Sequence, residues 1–287
     1  MAYPTEFFDM NAAPMRIGTV RLAVRDLPTV SAFYQHVLGL SVIESTGARV
    51  TLGQGDRPLL ELDGDAALTA VDPRQAGLFH TAFLLPSRAD LGRWVGHAAG
   101  ARVALQGASD HIVSEALYLA DPEGNGIEVY ADRPQAQWRS DAGTVRMATD
   151  PLDLPDLMRA AGDTGWTGFP AGGSIGHVHL QVGDTEAADR FYRDVLGFDI
   201  AARYPGASFY GSGGYHHQLA GNVWNSRRAG TRPAGAAGID EISIIIRDDA
   251  TRDDIAARAN AAEIPSERQA ESLTLRDPWG TRITLKS

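Results

Sequence analysis

A gapless internal repeat constrains the fold of this chain more than any other feature. The segment IGTVRLAVRDLPTVSAFYQHVLGL, which begins at Ile17, matches the segment IGHVHLQVGDTEAADRFYRDVLGF, which begins at Ile175. A match of this length indicates that one structural unit has been duplicated. The fold must therefore accommodate the same unit at least twice.

Each copy of the repeat is predicted to be a strand followed by a helix. Apolar residues alternate at its start, as in Val20, Leu22 and Val24, which is typical of a strand. The apolar spacing then becomes helical. Asp26 and Asp184 stand where helix N-caps belong, and a glycine follows the last turn of each predicted helix.

Two further pairs of segments repeat at a similar offset. GLFHTAFLLP, from Gly77, resembles GIDEISIIIR, from Gly238, and DPEGNGIEVY, from Asp121, resembles DPWGTRITLK, from Asp277. The D-P-x-G sequences are typical of turns that lead into a strand. We therefore predict four βαβββ modules, over residues 15–63, 76–131, 173–226 and 237–287.

The length of 287 residues is compatible with two domains at roughly 100–200 residues each. We predict an N-terminal domain of modules 1 and 2 over residues 15–131. A connecting segment follows over residues 132–172, and modules 3 and 4 form a C-terminal domain over residues 173–287.

Composition excludes several classes of function. The chain has no cysteine, which rules out disulfides, thiolate metal sites and cysteine nucleophiles. The net charge of −10 opposes binding to nucleic acid or anionic membranes. No long apolar run or signal-peptide pattern is present, so we expect a cytoplasmic protein without membrane contact.

The modules, the FYxxVLG motif and the DPxGNxIE turn together resemble the vicinal-oxygen-chelate superfamily, which includes glyoxalase I, bleomycin-resistance proteins and extradiol dioxygenases. The segments GLFHTAFLLP, GGYHHQLAGNVW and DPEGNGIEVYADRP are similar to its catechol 2,3-dioxygenase branch. The resemblance spans almost the whole chain. It implies an α+β fold in which four βαβββ modules pair into two half-barrel domains.

The resemblance also implies where metal ligands would lie, on the first strand of each module and the last strand of one. Modules 2 and 3 offer His80, Glu128 and His177 at these positions, whereas modules 1 and 4 offer Thr19, Glu241 and Thr284. Only the first set is a plausible 2-His-1-carboxylate triad, which leaves adjacent positions open on iron(II). We expect Fe(II), with Mn(II) as the alternative metal. Taken alone, however, a histidine in an apolar strand is more often a core residue than a ligand.

Five further residues are catalytic candidates by the same resemblance. Tyr118 matches an active-site tyrosine and His111 a supporting histidine, although each is also compatible with an ordinary strand or loop residue. His217 matches the acid–base histidine of the HHxLA stretch, with His216 beside it. We expect strand alternation to point only one of this pair inward. His179 shares a strand face with His177, where it would contact substrate or simply pack.

These residues predict an extradiol ring-cleaving dioxygenase that acts on catechol-like aromatic diols and inserts both atoms of O2. Its partners would be a small aromatic diol and O2, and the sequence is compatible with a homo-oligomer. One alternative is a glyoxalase-type isomerase or lyase, with Glu61 joining His80 and Glu128 on nickel or zinc. A second alternative is a small-molecule binding protein without catalysis.

Overall fold

The computed structural model of the protein describes residues 7–138 and 145–287. Four βαβββ modules follow one another along the chain, as the repeats predict. The first two modules contain the following elements: β1 (Met15–Val24), α1 (Leu27–Leu38), β2 (Ser41–Thr46), β3 (Arg49–Gln54), β4 (Arg57–Gly64), β5 (Gly77–Leu84), α2 (Arg88–Gly100), β6 (Gly107–Asp110), β7 (Ser114–Ala120) and β8 (Gly126–Asp132).

The connecting segment contributes a short strand and a short α-helix, and modules 3 and 4 complete the chain. Their bounds are as follows: β9 (Asp150–Pro151), α3 (Leu154–Ala160), β10 (Ser174–Gln181), α4 (Thr185–Asp189), β11 (Asp199–Tyr204), β12 (Ala207–Gly211), β13 (Leu219–Asn222), β14 (Gly238–Ile246), α5 (Asp249–Ala261), β15 (Ser266–Arg268), β16 (Ser272–Arg276) and β17 (Arg282–Lys286). The helix that begins at α4 continues as a π-helical turn over Arg190–Val195. Its counterpart α1 is regular throughout.

The strands form two mixed sheets, and each sheet joins modules from opposite halves of the chain. One has the order β15-β16-β17-β14-β1-β4-β3-β2, which combines modules 4 and 1. The other has the order β11-β12-β13-β10-β5-β8-β7-β6-β9, which combines modules 3 and 2. In both sheets the first strands of two modules pair antiparallel at the centre, β1 with β14 and β10 with β5. The predicted α+β fold of paired half-barrels is confirmed.

Local sequence explains why the repeated units fold alike. Asp26 and Asp184 cap α1 and α4, each accepting a hydrogen bond from a backbone N–H in the first turn. Gly39 follows α1 in the left-handed conformation (φ 71°). The alternating residues of β1 are buried, including Val20 and Leu22, in the apolar core shared by sheets and helices.

The connecting segment is partly anchored to the N-terminal half. Its helix α3 packs on α2 so closely that a Cβ on Gly92 would lie 2.5 Å from the carbonyl oxygen of Leu157. Asp156 also forms an ion pair of 2.7 Å with Arg88. The division of the chain into domains at 132–172 stays a prediction, and residues 139–144 of that segment lie outside the described residues.

Every helix in the described ranges is too short or too polar to cross a bilayer.

Candidate metal centre

His80, Glu128 and His177 meet at the centre of the nine-stranded sheet. They lie on β5, β8 and β10, which are neighbours in the order β10-β5-β8. Glu128 Oε2 lies 3.0 Å from His80 Nε2 and 3.2 Å from His177 Nε2, and the two Nε2 atoms are 3.3 Å apart. All three residues are buried. Among the described residues, this is the one group of His, Asp and Glu side chains arranged to hold a metal ion.

Strand register explains why these side chains converge. Ala82 on β5 pairs with Glu128 on one side and with His177 on the other. His80 precedes Ala82 by two residues, so it projects from the same face of the sheet. The small side chain of Ala82 leaves room for the three larger ones. The triad therefore depends on the pairing of two strands that are almost 100 residues apart in sequence.

The protonation state of the triad suits a metal ion. Burial alone would raise the pKa of Glu128, but the charges and hydrogen bonds of His177 and His80 outweigh it and hold the pKa well below its usual range. Burial lowers the pKa of His177 to about 4, against the opposing effect of Glu128. An ionised carboxylate and a neutral imidazole are the forms that coordinate metal.

The spacing of the ligand atoms also fits a metal. Three ligands with bonds of about 2.1 Å at right angles lie about 3.0 Å from one another. The observed separations of 3.0, 3.2 and 3.3 Å are close to that value. Two imidazoles and a carboxylate on one face would leave the remaining positions to exogenous ligands.

The corresponding positions of the other sheet carry an ion-pair cluster. Glu241, which aligns with His80, lies 2.9 Å from Arg21, and Arg21 lies 2.6 Å from Glu61. Thr284, which aligns with Glu128, is within 3.2 Å of the Thr274 hydroxyl. The glyoxalase-type ligand set is therefore not assembled, because Glu61 belongs to the other sheet and pairs with Arg21.

A cavity of about 780 Å³ opens beside the triad. This volume is within the usual range for small-molecule sites, about 300–1,000 Å³. Its lining contains aromatic and aliphatic side chains as well as histidines. It includes Phe79, His111, Tyr118, His179, Phe209, His217 and Trp224.

Tyr118 and His111 form a hydrogen-bonded pair at the cavity wall. Tyr118 on β7 pairs directly with Glu128 on β8. Burial raises the pKa of Tyr118 well above its ordinary value, and the adjacent Glu128 charge adds to the shift. His111 Nε2 bonds the Tyr118 hydroxyl, and His111 Nδ1 lies 2.6 Å from the carbonyl oxygen of Ala148. The phenol is thus held protonated beside the triad.

His216 and His217 do not lie on a strand, so the alternation expected for them is wrong. They occupy the loop between β12 and β13, which turns at glycines with positive φ and is closed by Gln218. The Gln218 side chain accepts from Ser212 N (2.7 Å) and donates to Ser212 O (3.1 Å). Both histidines are buried, but only His217 lines the cavity. Its ring centroid lies 4.1 Å from that of His177.

His216 does not line the cavity, so the structure does not place it with the other candidates. Its Nε2 lies 2.9 Å from Asp132 Oδ1, and its Nδ1 lies 2.8 Å from His217 Nδ1. Asp132 is the last residue of β8, in the other half of the chain. Sequence reasoning missed Asp132, because a carboxylate in the sequence YADRP carries no local signal of its partner.

His179 lines the cavity on the same side as His177, as expected from strand alternation. Asn222 Nδ2 lies 3.0 Å from its Nε2, and burial, followed by the nearby histidines, lowers its pKa well below the usual value. Its ring packs against Phe79 and Trp224.

Two aromatic residues of the cavity wall, Phe79 and Phe209, were also missed from sequence. Phe79 is adjacent to His80, yet both line the cavity. The register of β5 and β10 shifts at this point, since His179 pairs with His80 and the next residue of β10 pairs with Leu78. Phe79 is left as the extra residue of a β-bulge, which redirects its side chain. Two large residues, Phe79 and His80, stand side by side in the strand, and this was the only sequence signal of a bulge. The alignment of the repeats does not show which residue of a strand is bulged.

Comparisons with known proteins agree with this architecture. Residues 16–129 and 174–285 match the sequence model of the glyoxalase/bleomycin resistance protein/dioxygenase superfamily. A protein named catechol-2,3-dioxygenase from Bacillus subtilis strain 168 is 39% identical over 267 residues, covering 91% of this chain and 93% of that protein.

Solved structures with low sequence identity share the fold. Glyoxalase I from Zea mays superposes with a TM-score of 0.58 at 15% identity, covering 97% of this chain and 94% of that one. A candidate dioxygenase from Bacillus subtilis strain 168 superposes with a TM-score of 0.61 at 15% identity, covering 94% of this chain and 84% of that one. At these identities the likeness concerns the fold alone.

Proposed function

The chain belongs to the glyoxalase/bleomycin resistance protein/dioxygenase superfamily, and from that premise we propose that it is an iron(II)-dependent extradiol dioxygenase acting on catechol-like aromatic diols. The observation that carries the proposal is the facial arrangement of His80, Glu128 and His177 at the wall of a large, partly aromatic cavity. The fold alone would not suffice, because this scaffold supports several chemistries.

The two histidines and one glutamate of the triad favour iron(II) chemistry over a glyoxalase-type site. Two imidazoles and one carboxylate are typical of non-haem iron oxygenases. When bound, iron(II) would supply a centre on which the two diol oxygens and dioxygen are held side by side. A glyoxalase-type site would require a second carboxylate, and Glu61 is engaged by Arg21 in the other sheet.

Residues around the triad provide for protons and charge. His217 is buried and its pKa is held well below the usual value by burial and by the neighbouring histidines, so its ring is neutral and can accept a proton from the diol. Tyr118 keeps its proton, which it donates to the bare Nε2 of His111, so its hydroxyl oxygen is available to accept a hydrogen bond from the substrate. His111 would orient Tyr118, and His179 would contact the substrate ring from beside His80 and His177.

The cavity wall suits an aromatic ring. Phe79, Phe209 and Trp224 surround His179, and their faces and edges offer apolar contacts at ring distances of 5.0 to 5.7 Å. A planar diol would lie between these side chains with its oxygens directed at the triad. Such an arrangement would hold the reactants in place.

Ring cleavage is the direct test. The full-length protein is reconstituted anaerobically with one equivalent of Fe(II), catechol is added, and oxygen is then admitted. We expect consumption of one O2 per catechol and the appearance of a yellow ring-fission product. Absence of colour and oxygen uptake across several diols, in protein shown to hold iron, would refute the proposed reaction. Repeating the assay with Mn(II) assigns the metal separately from the reaction.

Matched variants test the ligand set. Glu128→Ala removes the shared carboxylate, whereas Thr284→Ala alters the aligned position in the other sheet. We expect iron content and activity to be lost in Glu128→Ala, and likewise in His80→Ala and His177→Ala. Thr284→Ala should keep both. Iron retained at full stoichiometry in Glu128→Ala, measured by metal analysis after desalting, would contradict the assignment.

A further inference from the structure

A buried chain of hydrogen bonds runs from the end of β8 to the cavity. Asp132 Oδ1 lies 2.9 Å from His216 Nε2, and His216 Nδ1 lies 2.8 Å from His217 Nδ1. His216 is 0% exposed and His217 is 5% exposed. These hydrogen bonds therefore connect a carboxylate in the first half of the sequence to a cavity histidine in the second half, without passing through solvent.

The surroundings of His216 fix its ring. The Tyr215 ring lies against it with centroids 4.0 Å apart, and Trp138 approaches it edge-on at 5.0 Å. Tyr215 also donates to Asp132 from its hydroxyl at 3.2 Å, and that hydroxyl lies 2.7 Å from the Tyr130 hydroxyl. The carboxylate thus has two donors, and the imidazole has little freedom to turn.

The donor and acceptor requirements of these hydrogen bonds select one tautomer for His216 and one for His217. An ionised carboxylate only accepts hydrogen bonds, so His216 must carry its proton on Nε2. A neutral imidazole has one protonated nitrogen, so His216 Nδ1 is a bare acceptor. His217 must then donate from Nδ1, which leaves its Nε2 without a proton. Among the described residues, His217 Nε2 has no hydrogen-bond partner, and the ring lines the cavity.

We propose that Asp132 and His216 are positioning residues that hold His217 in the tautomer whose bare Nε2 faces the cavity. The Asp132–His216 pair acts through His217 and does not touch the substrate. It makes His217 a proton acceptor before any ligand arrives, and it gives His216, which does not line the cavity, a defined role. The contribution of this arrangement to catalysis rests on the proposed function. The tautomer of His217 does not depend on that function.

The tautomer can be read directly. Full-length, metal-free protein labelled with ¹⁵N at histidine is examined at pH 8, where an ordinary histidine is neutral. Long-range ¹H–¹⁵N correlations distinguish protonated from bare ring nitrogens, and a substitution at each position assigns the signals. We expect His217 to show a protonated Nδ1 and a bare Nε2. A His217 ring protonated on Nε2, or an equal mixture of tautomers, would overturn the proposal.

Variants separate positioning from packing. In His216→Asn the amide oxygen can take the place of Nδ1 and accept from His217, whereas His216→Phe fills the space without an acceptor. We expect the single tautomer to persist in His216→Asn and to become mixed in His216→Phe. Asp132→Asn should also give mixed tautomers of His217, because the amide NH2 can donate to His216 Nε2 and no longer requires that nitrogen to carry the proton. Tyr215→Phe removes the other donor to Asp132 and is the control that should leave the tautomer unchanged.

Activity gives an independent readout. We expect His216→Phe to lower kcat for catechol by about 10²-fold with KM little changed, as for loss of general-base catalysis, and His216→Asn to recover most of the loss. Equal kcat losses in both variants, with the tautomer intact, would assign His216 a packing role only. If the protein cleaves no diol while His217 shows the expected tautomer, the proposed function fails and this inference stands.

Discussion

Gly176 shows how closely the residues around the triad are fitted together. It precedes the candidate ligand His177 on β10, and a Cβ built on it would lie 1.8 Å from the Tyr130 hydroxyl oxygen. That hydroxyl bonds Tyr215, and the Tyr130 ring lies 5.0 Å from the His177 ring. The absence of a side chain at residue 176 therefore allows the tyrosine to support the ligand strand.

We expect Gly176→Ala to force Tyr130 out of place. The variant should lose about 1–3 kcal/mol of stability, as overpacked core sites do, and should bind metal more weakly because His177 is displaced. Chemical denaturation and metal titration measure the two effects. Gly96→Ala is the matched control, since Gly96 lies in α2 with open space around it and should keep or gain stability. Equal stability of the two variants would contradict the close fit.

The position aligned with His179 carries a residue of different chemistry in the other sheet. The repeat aligns His179 with Arg21, and the two copies use this position differently. His179 joins the cavity wall, whereas Arg21 bridges Glu61 and Glu241. Burial opposes the charge of Arg21, but its carboxylate partners outweigh that effect and raise its pKa. A guanidinium paired in this way occupies the region where the other sheet has its candidate metal ligands.

At the scale of the element, helix α1 begins with a carboxylate that is tied to its first turn. Asp26 accepts from Thr29 N at 3.1 Å and from the Thr29 hydroxyl at 2.8 Å. These bonds hold the pKa of Asp26 below its ordinary value. A carboxyl whose pKa is lowered on folding stabilises the protein above its unfolded pKa, and this contribution is lost as pH falls through the folded value.

The N-cap predicts a pH-dependent effect of one substitution. Asp26→Asn keeps an acceptor for Thr29 N but cannot ionise, so the variant should lose less stability than the wild type between pH 6 and pH 3. Urea unfolding at each pH measures the difference. Asp56→Asn, in the exposed turn between β3 and β4, is the control and should follow the wild-type profile. If the stability of Asp26→Asn also followed the wild-type pH profile, the ionisation of Asp26 would not contribute to acid sensitivity.

Local sequence predicted these elements well, and the exceptions have physical causes. The caps at Asp26 and Asp184 follow from short-range end signals, and the strand and helix of each repeat copy follow from periodicity. Strand alternation was expected at His216 and His217, because YHHQLA contains no glycine or proline of its own. The glycines at 213 and 214, both with positive φ, divert the chain before the histidines. The conformation of the two histidines is therefore decided by glycines that precede the YHHQLA segment.

At the scale of the whole molecule, each sheet is completed only by strands from both halves of the chain. β5 lies beside β10, and β1 lies beside β14. The core is shared accordingly, with apolar residues of all four modules in one cluster. Neither half of the sequence by itself contains a complete sheet or a complete triad.

We expect residues 1–138 and 145–287, produced separately, to fail to bind metal as the full chain does. Each fragment lacks at least one ligand and exposes the edges of two central strands, which favours aggregation. Co-refolding the two fragments should restore metal binding and a single species on size-exclusion chromatography. Stoichiometric metal in a monomeric 1–138 fragment would show that His177 is dispensable. An equimolar mixture of 1–138 with a His177→Ala version of the second fragment is the control and should stay metal-free.

The sequence by itself determined the repeated βαβββ units, the class of fold and the short set of histidines and carboxylates from which a metal site could be built. These depend on periodicity and on residue type, which are local properties of the chain. Only the tertiary structure decided that β10 pairs with β5, that Glu61 is engaged by Arg21, and that Asp132 reaches His216. Such contacts join residues some 40 to 97 positions apart, and they depend on strand register and burial, which no local pattern encodes.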